Sequence, residues 1–212
     1  MDPSVSDELP WSPENELVRR ELVDAVRALI PASMLTEADD AAMTEALALV
    51  AGATTILTRS SRTSRYERRP GLTAGIGAND PVWETHAAFG RSNPFAPPVV
   101  VAEEPGRVVG TVIFGDAYEG GPGTVYGGFV AAAFDGMLGR TVLSAGHLGV
   151  TRSLVVRYLR PTPLRVPLRI TAEIGAVSGR NVEVSAQMLH GERVTCEADA
   201  VFTTVDPARY EM

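Results

Sequence analysis

The chain contains no lysine: all 19 of its basic residues are arginine. Schiff-base chemistry and Walker-type phosphate loops both need the lysine amine and are thereby excluded. Histidine is scarce. His86, His147 and His190 lie far apart, and no spacing suggests a metal site, so no metal is expected. The single cysteine, Cys196, can form no internal disulfide. Its strand-like run, VTCEADAVF, makes it a small buried hydrophobe rather than a nucleophile. Positive charge is in deficit. A net charge of −7 argues against a sequence-independent hold on nucleic acid. No apolar run is read as long enough to cross a bilayer. The acidic start MDPSVSDELPWSPENE lacks the basic-then-apolar order of a signal peptide. The resulting expectations are no membrane association and a cytoplasmic location.

What is present fits an ordinary globular protein. The 212 residues are 45% hydrophobic and 21% charged, enough for one domain and an extension. Ser12-Pro13 reads as a helix cap followed by proline at the first helical position. Val18, Leu22, Val26 and Leu29 then recur at helical spacing up to Ile30-Pro31. Thr36 and Asp39 resemble a capping box, and a second helix follows from Glu37 to Thr58, with Met43, Leu47, Val50 and Leu57 near one face. The two helices are expected to form a hairpin. Next, Arg59, Arg62, Arg65 and Arg68 recur every third residue beside Arg69. They read either as a solvated face or as a landing site for phosphate. Gly71–Asp80 is a linker, Pro81–Gly90 holds a short helix, and Pro94, Pro97 and Pro98 close an extension that ends at residue 91.

Residues 92–212 are mostly strands. Val99–Ala102 and Arg107–Gly115 are joined by the turn Glu103-Glu104-Pro105-Gly106. Four further strands, Thr151–Leu159, Pro167–Val177, Asn181–His190 and Arg193–Val205, read as an antiparallel meander. Between the two groups lies a Gly- and Pro-rich loop, the triplet Tyr126-Gly127-Gly128 and an apolar helix from Phe129 to Leu143. This order predicts an α+β domain, a curved antiparallel sheet wrapped around one long buried helix. Alternation along Thr151–Leu159 puts Thr151, Ser153, Val155 and Arg157 on one face and Arg152, Leu154, Val156 and Tyr158 on the other. Both faces carry apolar side chains, so the face away from the helix is expected to be covered, by another subunit or by the N-terminal helices.

One carboxylate, Asp135, interrupts the apolar helix. Burial of an acid is costly and raises its pKa, and such groups concentrate at functional sites. The alternative is an aspartate at the helix rim with one edge in water.

The element order, with Gly127-Gly128 and Asp135 at the head of the helix, resembles the hotdog-fold acyl-CoA thioesterases, in particular their phenylacetyl-CoA-type branch. The resemblance runs from about Asn93 to Asp206. The family pattern is a loop ending His-Gly-Gly, an acid nine positions after the His, and a Ser or Thr on the next strand eighteen positions after the acid. Here these are Tyr126-Gly127-Gly128, Asp135 and Ser153, with Thr151 as a nearby substitute. The resemblance implies the Gly127 N–H, assisted by Gly128, as oxyanion donor, and Asp135 as general base or nucleophile. Ser153 would orient water or carboxylate. It further implies a homodimer with interfacial sites, in which the loop and helix start of one subunit face Asp135 of the other, and dimers that pair into tetramers. Acyl-CoA is the implied substrate, with no cofactor beyond the CoA it carries. Arg157, Arg160 and the Arg59–Arg69 cluster are the candidates for its phosphates.

Two positions depart from the pattern. Tyr126 stands where relatives have His, and a phenol donates a hydrogen bond but is no imidazole near neutral pH. Where relatives carry Asn or Gln in the loop, this chain has Glu119-Gly120-Gly121, and Glu119 can stand in as a polar group or face solvent. A non-catalytic acyl-CoA sensor or carrier is therefore a second reading. A hotdog hydratase ranks last, because no His follows Asp135 until His147.

Overall fold

A computed structural model describes residues 13–61, 81–104 and 106–206. The Ser12 cap, Arg62, Arg65, Arg68, Arg69 and the Gly71–Asp80 linker lie outside the described residues. Helix α1 spans Pro13–Leu35 and α2 spans Asp40–Thr58. After a short 3-10 turn at Pro81–Thr85 come β1 (Val100–Glu104), β2 (Arg107–Val112), α3 (Gly127–Ser144), β3 (Gly149–Tyr158), β4 (Leu168–Ser178), β5 (Asn181–His190) and β6 (Arg193–Thr204). The six strands form one antiparallel sheet in the order β1-β2-β4-β5-β6-β3, packed around α3. This is the hotdog arrangement that the sequence predicts. The meander holds only for β4, β5 and β6. Strand β3 pairs with β6 instead of β4 and becomes an edge.

The sheet buries one face. Val182, Val184, Ala186 and Met188 of β5 alternate with outward Glu183, Ser185 and Gln187. Cys196, Ala198, Ala200 and Phe202 of β6 do the same, and Cys196 is buried as expected. Val130, Ala133, Phe134, Met137, Leu138 and Val142 of α3 fill the space above them. Among the described residues neither N-terminal helix packs on the outer face. It carries exposed Val155 among polar side chains, and Arg157 lies there, paired to Asp199 at 2.5 Å and to Glu197 at 3.6 Å.

A second layer closes over the back of α3. The rings of Trp83 and His86 each stack on Phe89, and Ala88 and Phe89 belong to the core although the sequence places them in the extension. They approach α3 at Gly136, where an added Cβ would lie 2.4 Å from the Ala88 Cβ. Arg140, one turn on, is buried, bonds Glu103 at 2.7 and 3.1 Å and stacks on Trp83 at 4.9 Å. Gly136→Ala is expected to destabilise by about 1–2 kcal/mol, overpacking outweighing the gain in helix propensity. A lower urea midpoint at constant slope would show it. An unchanged midpoint would mean that the Ala88–Phe89 turn yields.

Helix α1 docks on this layer. Val23 is buried, Arg20 pairs with Glu84 at 2.9 Å, and the Arg27 guanidinium donates to the carbonyls of Gly90, Arg91 and Asn93 at 2.9–3.2 Å. The helix runs on through Pro31 to Leu35, four residues past its expected stop. Helix α2 is capped by Asp39, which accepts from the Ala42 N–H at 2.9 Å, not by Thr36. The expected hairpin does not form, because no residue of α2 is buried. By length and composition α2 is also apolar enough to cross a bilayer, a run the sequence reading missed.

Candidate functional site

The loop ahead of α3 is built by its backbone. The Tyr126 N–H donates to Tyr118 O at 2.8 Å, Gly120 N to Thr124 O at 2.9 Å, and Val125 N to Thr162 O at 2.8 Å. An added Cβ at Gly120 would lie 2.7 Å from the Tyr126 Cα, so only glycine allows this close approach. The Glu119 carboxylate accepts from the Gly123 N–H at 2.7 Å, and Gly123 has φ +69°. Glu119 therefore closes the loop's own turn. Beneath the loop, the Tyr118 hydroxyl donates to Ala96 O at 3.1 Å, and burial holds its pKa above the usual phenol value.

This loop delivers the chain into α3 with Tyr126 as the capping residue. Tyr126 O accepts from the Phe129 and Val130 N–H groups at 3.0 and 3.4 Å. Among the described residues, no acceptor is bonded to the Gly127 or Gly128 N–H, as the first turn of a helix dictates. The Tyr126 ring is 59% exposed and lies over Gly128, where a Cβ would meet it at 2.6 Å. The Tyr158 ring lies against Gly127, and its hydroxyl donates to Gly127 O at 2.8 Å. Desolvation, and then its neighbours Cys196 and Tyr126, raise the Tyr158 pKa. Two phenols thus flank two open backbone N–H groups at the positive end of a helix dipole.

Asp135 lies further along the same helix. It is half-buried, the rim placement that the sequence left as the alternative to enclosure, on a stripe with Gly128, Ala131, Ala132 and Gly139 that neither the sheet nor the Trp83–Phe89 turn fully covers. Its Oδ1 accepts from the Thr151 hydroxyl at 2.8 Å. The partner is Thr151 and not Ser153 because β3 carries a bulge. Thr151 pairs with Phe202 and Ser153 with Val201, leaving Arg152 as the extra residue. One inserted residue flips the alternation upstream of it. Thr151 thereby joins Leu154, Val156 and Tyr158 on the helix side. Ser153 stays on the outer face, where it lines a shallow hollow with Arg152, Asn181 and Glu183.

The structure thus groups Tyr126, Gly127 and Gly128 at one end of α3 and Asp135 with Thr151 two turns away. Ser153 and Arg157 lie on the far side of the sheet, and Arg157 is already paired to acids. Arg160 is exposed in the loop after β3 and donates to Val194 O at 2.8 Å. The sequence reading assigned no role to Tyr158. Its signal was the helix-side face it shares with Leu154 and Val156. Among the described residues, no cluster of His, Cys, Asp and Glu is placed to hold a metal ion.

Residues 122–197 match the sequence profile of the thioesterase superfamily. A segment of 93 residues is 30% identical to the acyl-coenzyme A thioesterase THEM4 of Mus musculus, covering 43% of this chain and 40% of that protein. The matched segment thus spans two fifths of the length of this curated relative. A crystal structure of a thioesterase superfamily protein superimposes with a TM-score of 0.77 at 28% identity, over 87% of this chain and 94% of the other.

Proposed function

Starting from a hotdog domain of the thioesterase superfamily, we propose that this chain hydrolyses acyl-CoA thioesters to free acid and CoA. The observation that carries this reading is the Thr151-tethered Asp135 on the helix that also presents the free Gly127 and Gly128 N–H groups. Thioester hydrolysis needs a base for water and donors for the oxyanion, and this helix supplies both. In the proposed step Asp135 takes a proton from water as its oxygen adds to the thioester carbon. The carbonyl oxygen becomes an oxyanion held by the Gly127 and Gly128 N–H groups. Collapse breaks the C–S bond, and the proton passes from Asp135 to the departing thiolate. Direct attack by Asp135, through an anhydride that water then cleaves, gives the same products.

One protomer cannot do this alone. Asp135 lies eight positions past Gly127, a rise of about 12 Å along a helix, whereas an oxyanion donor and a base with one carbonyl and one water between them span about 8 Å. We therefore assign each site to two subunits, the glycines of one facing Asp135 of the other. The free edge of β3 and the small-residue stripe on α3 are the surfaces suited to that contact. Free-thiol release from short, long and aromatic acyl-CoAs tests the activity. Release from at least one class is expected; none from any class, with acyl-CoA still bound in a direct assay, would leave the sensor reading, which Tyr126 at the histidine position favours.

Thr151 separates this site from its alternative. Thr151→Val is expected to lower kcat by about 10- to 100-fold, the worth of one hydrogen bond to a charged group. Ser153→Ala, on the outer face, is expected to leave kcat unchanged. The reverse pattern in steady-state assays would place the orienting hydroxyl on the wrong side of the bulge.

A further inference from the structure

The N-terminal arm carries two apolar surfaces that do not meet. On α1, Val18, Leu22 and Leu29 are exposed, on the side away from the docked Arg20, Val23 and Arg27. With Ala25 they fall at intervals of four, three and four residues, a helix-pairing seam. On α2, Met43, Leu47, Val50 and Leu57 follow the same spacing with Thr54, and all are exposed. The link at Thr36–Asp39 is long enough for an antiparallel helical hairpin. Yet no residue of α2 is buried against the described residues. An apolar helix left wholly in water is not a stable end state.

A membrane is a poor occupant for it. Helix α1 is bound to the domain through Arg20 and Arg27, so the start of α2 stays on the domain's side. If α2 crossed a bilayer, the chain between Thr58 and Pro81 would have to cross back. That stretch carries Arg59, Arg62, Arg65, Arg68 and Arg69 together with Pro70 and several glycines, an unsuitable spanning segment. Nor does α2 suit the plane of a lipid surface. No Lys or Arg occurs between Arg27 and Arg59, while Glu37, Asp39, Asp40 and Glu45 carry negative charge at its start.

We propose that two copies of this chain exchange arms, the α2 seam of each packing on the exposed α1 seam of the other. A helix of this length presents a side surface on the order of 900 Å². If each α2 buries half of that against a matching seam, exchange in both directions removes on the order of 1,800 Å² from water, the size of a stable interface. The contact is isologous, as a two-fold axis requires, and the lack of any buried residue on α2 favours exchange over folding back. It is a surface distinct from the β3 edge and does not depend on any catalytic reading.

The test uses full-length protein with one new thiol per chain. Leu22→Cys and Val50→Cys chains are co-expressed and treated with a short bismaleimide; native Cys196 is buried and stays unreactive. A cross-chain product approaching about half of the material is expected, since half of randomly paired dimers are mixed. Adding Leu47→Glu to the Val50→Cys chain should remove it without unfolding, because α2 contributes nothing to the protomer core. No cross-chain product at micromolar protein overturns the proposal. So does an internal cross-link in the Leu22→Cys/Val50→Cys double variant without one between chains. Co-sedimentation with phosphatidylglycerol vesicles that Leu47→Glu abolishes would overturn it as well, giving α2 to lipid.

Discussion

Asp135→Asn is expected to lower kcat for acyl-CoA hydrolysis by about 10²- to 10⁴-fold, the range that a positioned general base contributes. The substitution is chosen for what it keeps. An asparagine oxygen can still accept from the Thr151 hydroxyl, now at 2.8 Å from Oδ1, so the side chain stays in place. The half-buried position adds no large burial penalty to either form. KM and the thermal midpoint are therefore expected to change little while kcat collapses, the signature of an interaction made only in the transition state. Rapid free-thiol release assays with saturating substrate would measure it. Activity equal to wild type would remove Asp135 from the chemistry. A proportional loss of folded protein would make it structural.

Much of this arrangement was legible in the residues, and the failures have physical causes. The helix read from Phe129 to Leu143 announced itself by its apolar content and its glycine entry, and it runs from Gly127 to Ser144; the strands Asn181–His190 and Arg193–Val205 lie where they were read, because strict alternation from Val182 to Met188 and from Cys196 to Phe202 buries one face. Alternation failed on β3 because period-two logic assumes unbroken pairing, and the bulge at Arg152 breaks it. Thr151 and Ser153 thereby changed places. Strand order was missed at β3 because adjacency in sequence does not dictate pairing across a sheet built round a helix. Asp135 looked enclosed because composition counts neighbours along the helix, not the stripe left open between sheet and turn. Arg157 looked available because nothing local reveals that Asp199 and Glu197 of the next strand neutralise it. Helix α2 was expected to pack on α1 because its periodicity matched, and periodicity does not name the chain on which the partner lies.

The two-subunit site makes the sharpest forecast. Gly127→Pro removes the proposed oxyanion donor while respecting the local fold. Proline is favoured at the first helical position, and Tyr126, at φ −60° and ψ 129°, already has the extended geometry that a following proline requires. An added Cβ there would meet only the tip of the Tyr158 ring, at 3.2 Å, and that ring is 54% exposed, so it can give by a few tenths of an ångström. Loss of one oxyanion donor is expected to cost about 10²- to 10³-fold in kcat. Gly127→Pro and Asp135→Asn homodimers are then both nearly inactive. Co-expressed, they are expected to recover about a quarter of wild-type activity, because half of the dimers are mixed and each mixed dimer carries one site with both native parts. A site contained within one protomer would give no recovery, since every copy would then lack one component. The length of α3 already argues against that outcome: about 12 Å of helix lies between its first turn and Asp135, more than one carbonyl and one water span.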